Sequence, residues 1–283
     1  MTVVLRSVQS DWIDSLSVQF RAHKRVLGQA VTGFGKTVCF SEISRRTANR
    51  GNSVVIVAHR IEIVLQIGRA LLRAGVKFGV IAAGHPVSDA LVQIGMVQSV
   101  ANRLDKIPQP NLLVVDEAHH ATAGTYQKLV DAWPDSYILG VTASPQRTDG
   151  TGLGKLFDAL VVGPSMREMI SRGYLADYRY LAPPQQMDLS QVATRAGDYA
   201  LDQLAAAMDK PTITGDAIKH YATHLNGRPA IAFCVSVDHA RHVAADFARA
   251  GWKAEAVDGT TDQAQRASNG RDVSTFGDEV AGG

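Results

Sequence analysis

The segment AVTGFGKT, residues 30–37, places two glycines, a lysine and a threonine directly after an apolar run. Gly33 and Gly35 let the backbone curl so that successive N–H groups point inward, which suits a polyphosphate. A helix that begins near Lys36 adds the positive end of its dipole. Lys36 can reach the β- and γ-phosphates, and the hydroxyl of Thr37 can ligate Mg²⁺. The predicted nucleotide-binding residues of this segment are Thr32, Gly33, Phe34, Gly35, Lys36 and Thr37.

Two adjacent carboxylates, Asp116 and Glu117, follow the apolar run LLVV. At the carboxyl end of a strand, Asp116 can hold Mg²⁺ opposite Thr37, directly or through water. Glu117 is then placed to orient or deprotonate an attacking water. The predicted catalytic residues are therefore Glu117, Lys36 and Asp116, and the predicted Mg²⁺ ligands are Thr37 and Asp116.

Each of these two signals has a plainer interpretation when it is taken alone. The strict phosphate-loop pattern begins with glycine, whereas Ala30 stands at that position, so the segment could be a glycine-rich turn. The Asp-Glu pair could simply stabilise the start of the next helix. Because a phosphate-binding loop needs an acidic partner, the two signals together favour a site for ATP and Mg²⁺.

These side chains require a scaffold that brings the ends of separate strands together. Apolar runs of strand length recur in the N-terminal half, with helix-like stretches between several of them: RVLGQAV, SVVIVAH, FGVIAAG, LVQIGMV, NLLVVDEAH and SYILGVTAS. Such uninterrupted runs indicate strands that are buried on both faces, as in a parallel sheet covered by helices. The pattern therefore predicts an α/β, doubly wound fold. In such sheets, ligands bind at the carboxyl edge of the strands.

The apolar pattern also suggests how the chain is divided. The first domain is predicted to cover residues 1–163, followed by a linker over residues 164–210. A second α/β pattern covers residues 211–283, with a helix to about Leu225, the strand PAIAFCVS, a helix over residues 238–250 and the strand KAEAVDG. Two strands cannot form a complete doubly wound sheet, so this second domain is predicted to be incomplete.

Composition excludes several classes of protein. Hydrophobic residues make up 46% and charged residues 20% of the chain, as in soluble globular proteins. We find no apolar run of membrane-spanning length and no secretory signal pattern, so a cytoplasmic protein without membrane partners is expected. Cys39 and Cys234 lie far apart in apolar runs and are read as buried thiols.

Nucleic-acid binding would need a local basic surface, because the formal net charge is only +2. Such a surface is present between residues 21 and 73, where only Glu42 and Glu62 carry negative charge. A solvated helix surface with chance bias explains it equally well. Its members are Arg21, Lys24, Arg25, Lys36, Arg45, Arg46, Arg50, Arg60, Arg69 and Arg73.

With these motifs, the chain resembles the superfamily 2 helicase-type ATPases over about residues 3–266. Within that group it is most similar to the DEAH-box branch of RadD-like, XPB-like and phage-encoded DNA helicases, some of which act in DNA repair. The resemblance implies a RecA-like P-loop domain followed by a second RecA-like domain. The segment LRSVQ resembles the Arg-x-x-Gln motif, which implies that Gln9 contacts the adenine with Arg6 nearby, although Ser7 and Val8 replace the usual Pro-Tyr.

Further segments extend the resemblance. VVIVAHRIEIVLQ and MVQSVANRLD resemble motifs Ia and Ib, which implies nucleic-acid contacts by His59, Arg60, Gln98 and Ser99. GVTASPQRTDG resembles motif III, which implies that Thr142 and Ser144 couple the nucleotide state to strand movement. The resemblance also implies that His119 lies between the ATP site and motif III. AIAFCVSVDHA resembles motif IV, which opens the second RecA-like domain.

Motifs V and VI of the family have no counterpart in this sequence. After Gly259 the sequence offers Arg266 and Arg271, but no Gln-x-x-Gly-Arg-x-x-Arg segment that would reach across to the γ-phosphate. We therefore expect a truncated chain or one piece of a split gene, whose second domain a protein partner or split subunit would complete.

Two functional hypotheses follow, and a third has less support. The first is an ATP-dependent helicase or translocase on nucleic acid, with DNA favoured and a single strand contacted. The alternative is a nucleotide-dependent nucleic-acid-binding module with negligible turnover. The motor part of a restriction complex ranks last, because we find no resemblance to a nuclease or specificity domain.

Overall fold

The computed structural model of the chain describes residues 4–84, 86–120, 123–145, 153–181, 192–195, 198–209 and 211–261. The chain divides into two compact units, residues 1–180 and 181–283, which we call the N-terminal and C-terminal units. Arg147 of the motif III segment lies outside the described residues.

The N-terminal unit is built on a seven-stranded sheet in which all the pairings are parallel. The strand order is β3-β4-β2-β5-β6-β1-β7. The predicted parallel α/β sheet is confirmed. The strands are β1 Arg25–Gln29, β2 Val54–Ala58, β3 Phe78–Ile81, β4 Val92–Met96, β5 Leu112–Asp116, β6 Tyr137–Thr142 and β7 Ala159–Val162.

Helices cover both faces of this sheet and explain why its strands are largely apolar. Every residue of β2 and β5 is buried. Amphipathic spacing places Val64, Ile67 and Leu71 of one helix against the sheet. The helices of the unit are α1 Ser7–Gln19, α2 Lys36–Ala48, α3 Ile61–Arg73, α4 Val97–Ala101, α5 Ala123–Ala132 and α6 Met166–Ser171.

The hydrophobic core consists of two clusters. Successive side chains of a strand point to opposite faces, so Val54 and Ile56 enter one cluster while Val55 and Val57 enter the other. The first cluster includes Trp12 of α1 together with residues of α2 and α3. The second is closed by Leu129 of α5 and by Trp133, which directly follows that helix. The two clusters fix the sheet between its helices, so the loops at its edges are held by a rigid base.

The N-terminal unit continues past residue 163, where the sequence predicted a linker to begin. Ser165 caps α6, since its hydroxyl accepts a hydrogen bond from the backbone N–H of Glu168 at 3.2 Å. Met169 of this helix is fully buried in the first core cluster. The compact unit reaches Tyr180 because α6 and the turn after it supply part of its core.

The C-terminal unit is helical with a single short hairpin among its described residues. The hairpin pairs β8 Thr194–Arg195 with β9 Asp198–Tyr199 in antiparallel register. The predicted helices in this unit are present. They are α8 Pro211–His224 and α9 Val237–Arg249, and they follow α7 Leu201–Met208.

The two strands predicted for the C-terminal unit are not formed. Residues 229–234 and 253–258 carry no strand assignment, and their apolar side chains include Phe233, which is 95% exposed. A strand requires a hydrogen-bonded neighbour, and in the described part of this unit only the β8–β9 hairpin forms a sheet. These segments thus have strand-like sequence without strand pairing.

Across the residues described here, no helix has the length and apolar character that crossing a bilayer requires.

Candidate functional site

The carboxyl edge of the parallel sheet brings the predicted nucleotide residues together. Strand β6 lies between β1, which leads into the glycine-rich loop, and β5, which ends at Asp116. In register, Gln29 pairs with Thr142 and Asp116 pairs with Val141. Because parallel strands end at one edge, the loop, the acidic pair and the motif III segment emerge side by side.

The glycine-rich loop has the conformation that its sequence predicts. Gly33 has φ +81°, and Gly35, the N-cap of α2, has φ +92°, which is the left-handed region where glycine is favoured. Lys36 is therefore the first residue of α2, and its Nζ donates a hydrogen bond to the carbonyl of Ala30 at 3.1 Å. This places a cation and a helix N-terminus at the point where phosphates would bind. Thr32 is exposed there.

The side chain of Phe34 does not enter this site. The ring is fully buried and packs edge-on against Trp12, with ring centroids 5.5 Å apart. The ring therefore anchors the loop to the core.

Gln9 of α1 contacts the same loop, and Arg6, the N-cap of that helix, contacts Gln9. The Gln9 Nε2 donates to the carbonyl of Phe34 at 2.9 Å, and its Oε1 accepts from the backbone N–H of Arg6 at 2.9 Å. Gln9 is only 4% exposed, so the structure places its amide against the loop backbone. The Arg6 guanidinium lies over the ring of Tyr174 at 4.8 Å from its centroid.

The acidic pair lies on a sharply turned backbone. Asp116 is 8% exposed, and the backbone N–H of Glu117 donates to its Oδ1 at 3.0 Å. Burial, followed by the charge of Glu117, raises the pKa of Asp116 to about 6, whereas the charge of Lys36 opposes this rise. Glu117 has φ +47°, a conformation that non-glycine residues adopt mainly where a site requires it.

The side chains of Asp116 and Thr37 fit a magnesium ion bound together with a nucleotide. A buried carboxylate whose pKa is raised gains stability from a nearby cation, and Thr37 offers a half-buried hydroxyl. Among the described residues, no group of three or more metal-ligating side chains is present. Mg²⁺ is commonly bound by one or two protein ligands plus phosphate oxygens and water.

His119 lies between the acidic pair and motif III, close to Glu117 and within hydrogen-bond distance of Thr142. His119 Nδ1 lies 2.8 Å from Thr142 Oγ1 and 3.3 Å from Glu117 Oε2. Thr142 Oγ1 donates to the carbonyl of Ser144 at 2.7 Å and accepts from the Ser144 N–H at 3.1 Å. With its proton committed to Ser144, the Thr142 hydroxyl is an acceptor for His119, which favours the tautomer protonated at Nδ1.

The base of the glycine-rich loop is bonded to the same segment. The backbone N–H of Ala30 donates to the carbonyl of Thr142 at 3.0 Å, and Gln29 Nε2 donates to the carbonyl of Ala143 at 3.1 Å. A displacement of either segment would therefore strain the other. Gln29 was not singled out in the sequence, where it is an ordinary residue at the end of an apolar run.

The predicted nucleic-acid residues lie farther along the same sheet edge. Ala58 of β2 pairs with Met96 of β4, so His59 and Arg60 emerge beside the helix that carries Gln98 and Ser99. Arg60 is exposed at the N-cap of α3, and Gln98 is also exposed. The structure thus groups these four residues on neighbouring strand ends.

Sequence patterns missed two residues beside the loop, Tyr174 and Leu175. A Cβ built on Gly33 would lie 2.5 Å from Leu175 Cδ2, so this leucine packs directly against the loop. In the sequence they appear only as an apolar pair in the turn after a predicted helix, and their sequence distance from the loop gave no signal.

Comparisons with known proteins identify a matching family and several relatives. The family described as "Type III restriction enzyme, res subunit" matches residues 2–147. The 51.5 kDa protein of Lactococcus phage (isolate 7-9) is 34% identical over 238 residues, which are 84% of this chain and 50% of that protein. The putative ATP-dependent helicase IRC3 of Saccharomyces cerevisiae is 29% identical over 240 residues, which are 77% of this chain and 34% of that protein. The chain spans about half or less of the length of these curated relatives.

A solved structure supports the fold. It is that of a nuclease-deletion mutant of the Type ISP restriction-modification enzyme LlaGI in complex with a DNA substrate mimic. The match has a TM-score of 0.52 at 11% identity and covers 96% of this chain and 31% of that chain. This match supports the predicted α/β architecture.

Proposed function

Because this chain belongs to the Type III restriction enzyme res-subunit family and to superfamily 2 of the helicases, we propose that it is an ATP-dependent helicase or translocase on nucleic acid. The observation that carries the proposal is the convergence of three segments at one sheet edge. The loop with Gly33 and Gly35, the Asp116–Glu117 pair and the His119–Thr142 contact all emerge there. That set supplies anion binding, a metal ligand, a base and a route to motif III.

In the proposed reaction, each residue has a defined role. The loop N–H groups and Lys36 bind the triphosphate, and Lys36 exchanges its present bond to Ala30 for phosphate oxygens. Thr37 and Asp116 would hold Mg²⁺, which supplies charge neutralisation on the β- and γ-phosphates when it is bound. Glu117 orients the attacking water and accepts its proton.

We also propose how hydrolysis is communicated and which strand is bound. A change in Glu117 reaches Thr142 through His119, and Thr142 is bonded to the backbone of Ala30. His59, Arg60, Gln98 and Ser99 would contact the sugar-phosphate backbone, which makes binding largely independent of sequence and sensitive to salt. DNA is the proposed strand, in keeping with the DNA substrate mimic bound by LlaGI, and the cytoplasm is the proposed location.

The test is phosphate release by the full chain with Mg-ATP, with and without single-stranded DNA. We expect DNA to stimulate turnover many-fold, and we expect Lys36→Ala to abolish it because the cation at the loop is lost. ATP binding without turnover would instead support the alternative, a nucleotide-dependent nucleic-acid-binding module. Failure of the folded protein to bind ATP at all would contradict both hypotheses.

A further inference from the structure

Gln29 lies where three strands of the sheet end. It is the last residue of β1, and it is in register with Thr142 at the end of β6 and with Val162 at the end of β7. Its carbonyl accepts a hydrogen bond from the backbone N–H of Gly163 at 2.7 Å, whereas its side-chain Nε2 donates to the carbonyl of Ala143 at 3.1 Å. The backbone of Gln29 is thus fixed in the sheet, while its side chain reaches the motif III segment.

The neighbouring strand leaves the backbone at this point little freedom. A Cβ built on Gly163 would lie 3.0 Å from the carbonyl oxygen of Gln29 and 3.1 Å from the Cβ of Ala30, so the two strand ends are in close contact. The side chain of Gln29 is half-buried. Because a half-buried amide loses stability when its partner is removed, the bond to Ala143 restrains where motif III can lie.

The residue after Gln29 responds directly to what the loop holds. The carbonyl of Ala30 accepts a hydrogen bond from Lys36 Nζ at 3.1 Å, and its N–H donates to the carbonyl of Thr142 at 3.0 Å. In the proposed function, Lys36 gives up this bond when it takes phosphate oxygens. Nucleotide binding therefore changes the hydrogen bonding of Ala30, and both Ala30 and its neighbour Gln29 are bonded to the motif III segment.

This connection is separate from the contact through His119. Glu117 lies 3.3 Å from His119, whose Nδ1 lies 2.8 Å from Thr142 Oγ1. That contact begins at the residue that would activate water, so it depends on the acidic pair. The side chain of Gln29 reaches the backbone of the same segment from the phosphate side, without passing through the acidic pair.

We propose that Gln29 is a positioning residue that couples phosphate binding at the loop to motif III, and through motif III to nucleic-acid affinity, independently of Glu117. The inference rests on the proposed function and adds how a bound nucleotide is detected before it is hydrolysed. Binding of the nucleotide and binding of the strand then influence each other equally, as coupled binding requires.

The experiment measures this coupling without turnover. The full chain with Glu117→Gln serves as the parent, since that change is expected to keep bound ATP intact. Fluorescence anisotropy with a labelled single-stranded oligonucleotide gives the DNA affinity with and without Mg-ATP, and the quotient of the two affinities is the coupling ratio. In the parent we expect ATP to change the DNA affinity at least about fivefold.

Gln29→Met is the main variant, because methionine has an unbranched side chain of similar length without a donor. Added to the parent, it should bring the coupling ratio about threefold to tenfold closer to one, which is the effect of one lost hydrogen bond. The ATP affinity, measured by calorimetry, should stay within about twofold. A purely structural role of Gln29 would weaken ATP or DNA binding and leave the coupling ratio unchanged.

A second variant keeps the test sharp if Gln29→Met folds poorly. Gln29→Glu retains the size and polarity of the side chain, but an ionised carboxylate only accepts hydrogen bonds and cannot donate to the carbonyl of Ala143. It should reduce the coupling ratio at least as much as Gln29→Met. Gln127→Met, which removes an exposed glutamine amide of α5, is the matched control and should leave the ratio within about twofold.

The outcomes distinguish this inference from the proposed function. If the parent binds ATP and the two Gln29 variants keep its coupling ratio, the assignment of Gln29 is wrong and the nucleotide site stands. If the parent binds ATP with a coupling ratio of one, Gln29 has no coupling to carry and the assignment is also wrong, while phosphate release by the wild-type chain still decides the proposed function. If the folded wild-type chain binds no ATP, both fail together.

Discussion

Single residues at the nucleotide site have environments that differ sharply from one another. Asp116 is buried, and its pKa is raised to about 6 by desolvation and by the neighbouring carboxylate. Glu117 lies on a left-handed backbone within 3.3 Å of His119. In the proposed mechanism the two adjacent carboxylates therefore have separate roles: Asp116 would hold the cation, while Glu117 lies beside the histidine that contacts motif III.

Glu117→Gln tests the proposed general base. The amide keeps the shape of the side chain but cannot take a proton, so we expect ATP affinity within about twofold of wild type and a fall in turnover of about 10²–10⁴-fold. Phosphate release and calorimetric ATP titration measure the two effects. Glu62→Gln, which changes an exposed glutamate in the first turn of α3, is the control and should be silent. Unchanged turnover in Glu117→Gln would remove this residue from its role.

Arg60→Ala tests the proposed nucleic-acid contact. Arg60 is exposed at the N-cap of α3, and a lost phosphate contact should weaken binding of every sequence alike and lower the slope of log affinity against log salt by about one. Fluorescence anisotropy with several single-stranded oligonucleotides at graded salt measures both. Arg167→Ala, which removes an exposed arginine of α6 outside the basic surface of residues 21–73, is the matched control. An effect confined to certain sequences would imply base contacts instead.

At the scale of elements, the start of α2 is the feature on which the site depends. Gly35 caps this helix in the left-handed region, and Lys36 and Thr37 follow in its first turn. The loop before it is fixed from three directions: by the ring of Phe34 in the core, by Gln9 of α1 and by Leu175 after α6. A helix N-terminus held in this way is already shaped for phosphate before a nucleotide arrives.

Gly35→Ala should disrupt that arrangement. The added Cβ would lie 2.5 Å from Gln9 Nε2 on a backbone with φ +92°, so we expect a loss of about 1–2 kcal/mol in the free energy of unfolding and a marked loss of ATP affinity. Urea unfolding and calorimetry measure the two. Gly124→Ala is the control, because a Cβ at Gly124 meets no atom within 4 Å. Equal stability and equal ATP affinity in both variants would contradict the loop geometry.

At the scale of the whole molecule, the described residues of the candidate nucleotide site all lie within one compact unit. Residues 1–180 contain the glycine-rich loop, the acidic pair, the motif III contact and the turn with Tyr174. The C-terminal unit contributes three helices, a hairpin and strand-like segments without strand pairing in its described part. Nucleotide binding is therefore expected to be a property of the N-terminal unit by itself.

Two fragments test that expectation. The fragment 1–180 should unfold cooperatively and bind ATP within about threefold of the full chain, because a compact unit with its own core folds alone. The fragment 1–163 removes the buried Met169 and the turn after α6, so its free energy of unfolding should be lower by about 2–5 kcal/mol. Chemical unfolding and ATP titration check both. Equal stability of the two fragments would mean that α6 adds nothing to the core.

The sequence alone determined the strands that are buried on both faces and the residues that follow them. β2 is apolar throughout and β5 is apolar up to Asp116, because both faces of these strands are covered. The loop at residues 30–37 was predicted because its glycines, lysine and threonine are typical of a phosphate-binding loop. The sequence pattern did not predict the edge strand β7, because it is four residues long and two of its apolar side chains, Leu160 and Val162, remain exposed. Strands were predicted for residues 229–236 and 253–259 but are not formed, because the local sequence pattern does not reveal whether a hydrogen-bonding neighbour exists.

Only the tertiary structure decided what surrounds the loop. Gln9 is predicted from its motif to meet the adenine, yet its partners are the Phe34 carbonyl and the Arg6 N–H. Tyr174 reaches the same place from a turn far along the chain, and only the fold brings it to Arg6. Motifs report what a residue type can do at short range in the sequence. Which partner it meets depends on contacts between distant segments, and those are fixed by packing of the whole core.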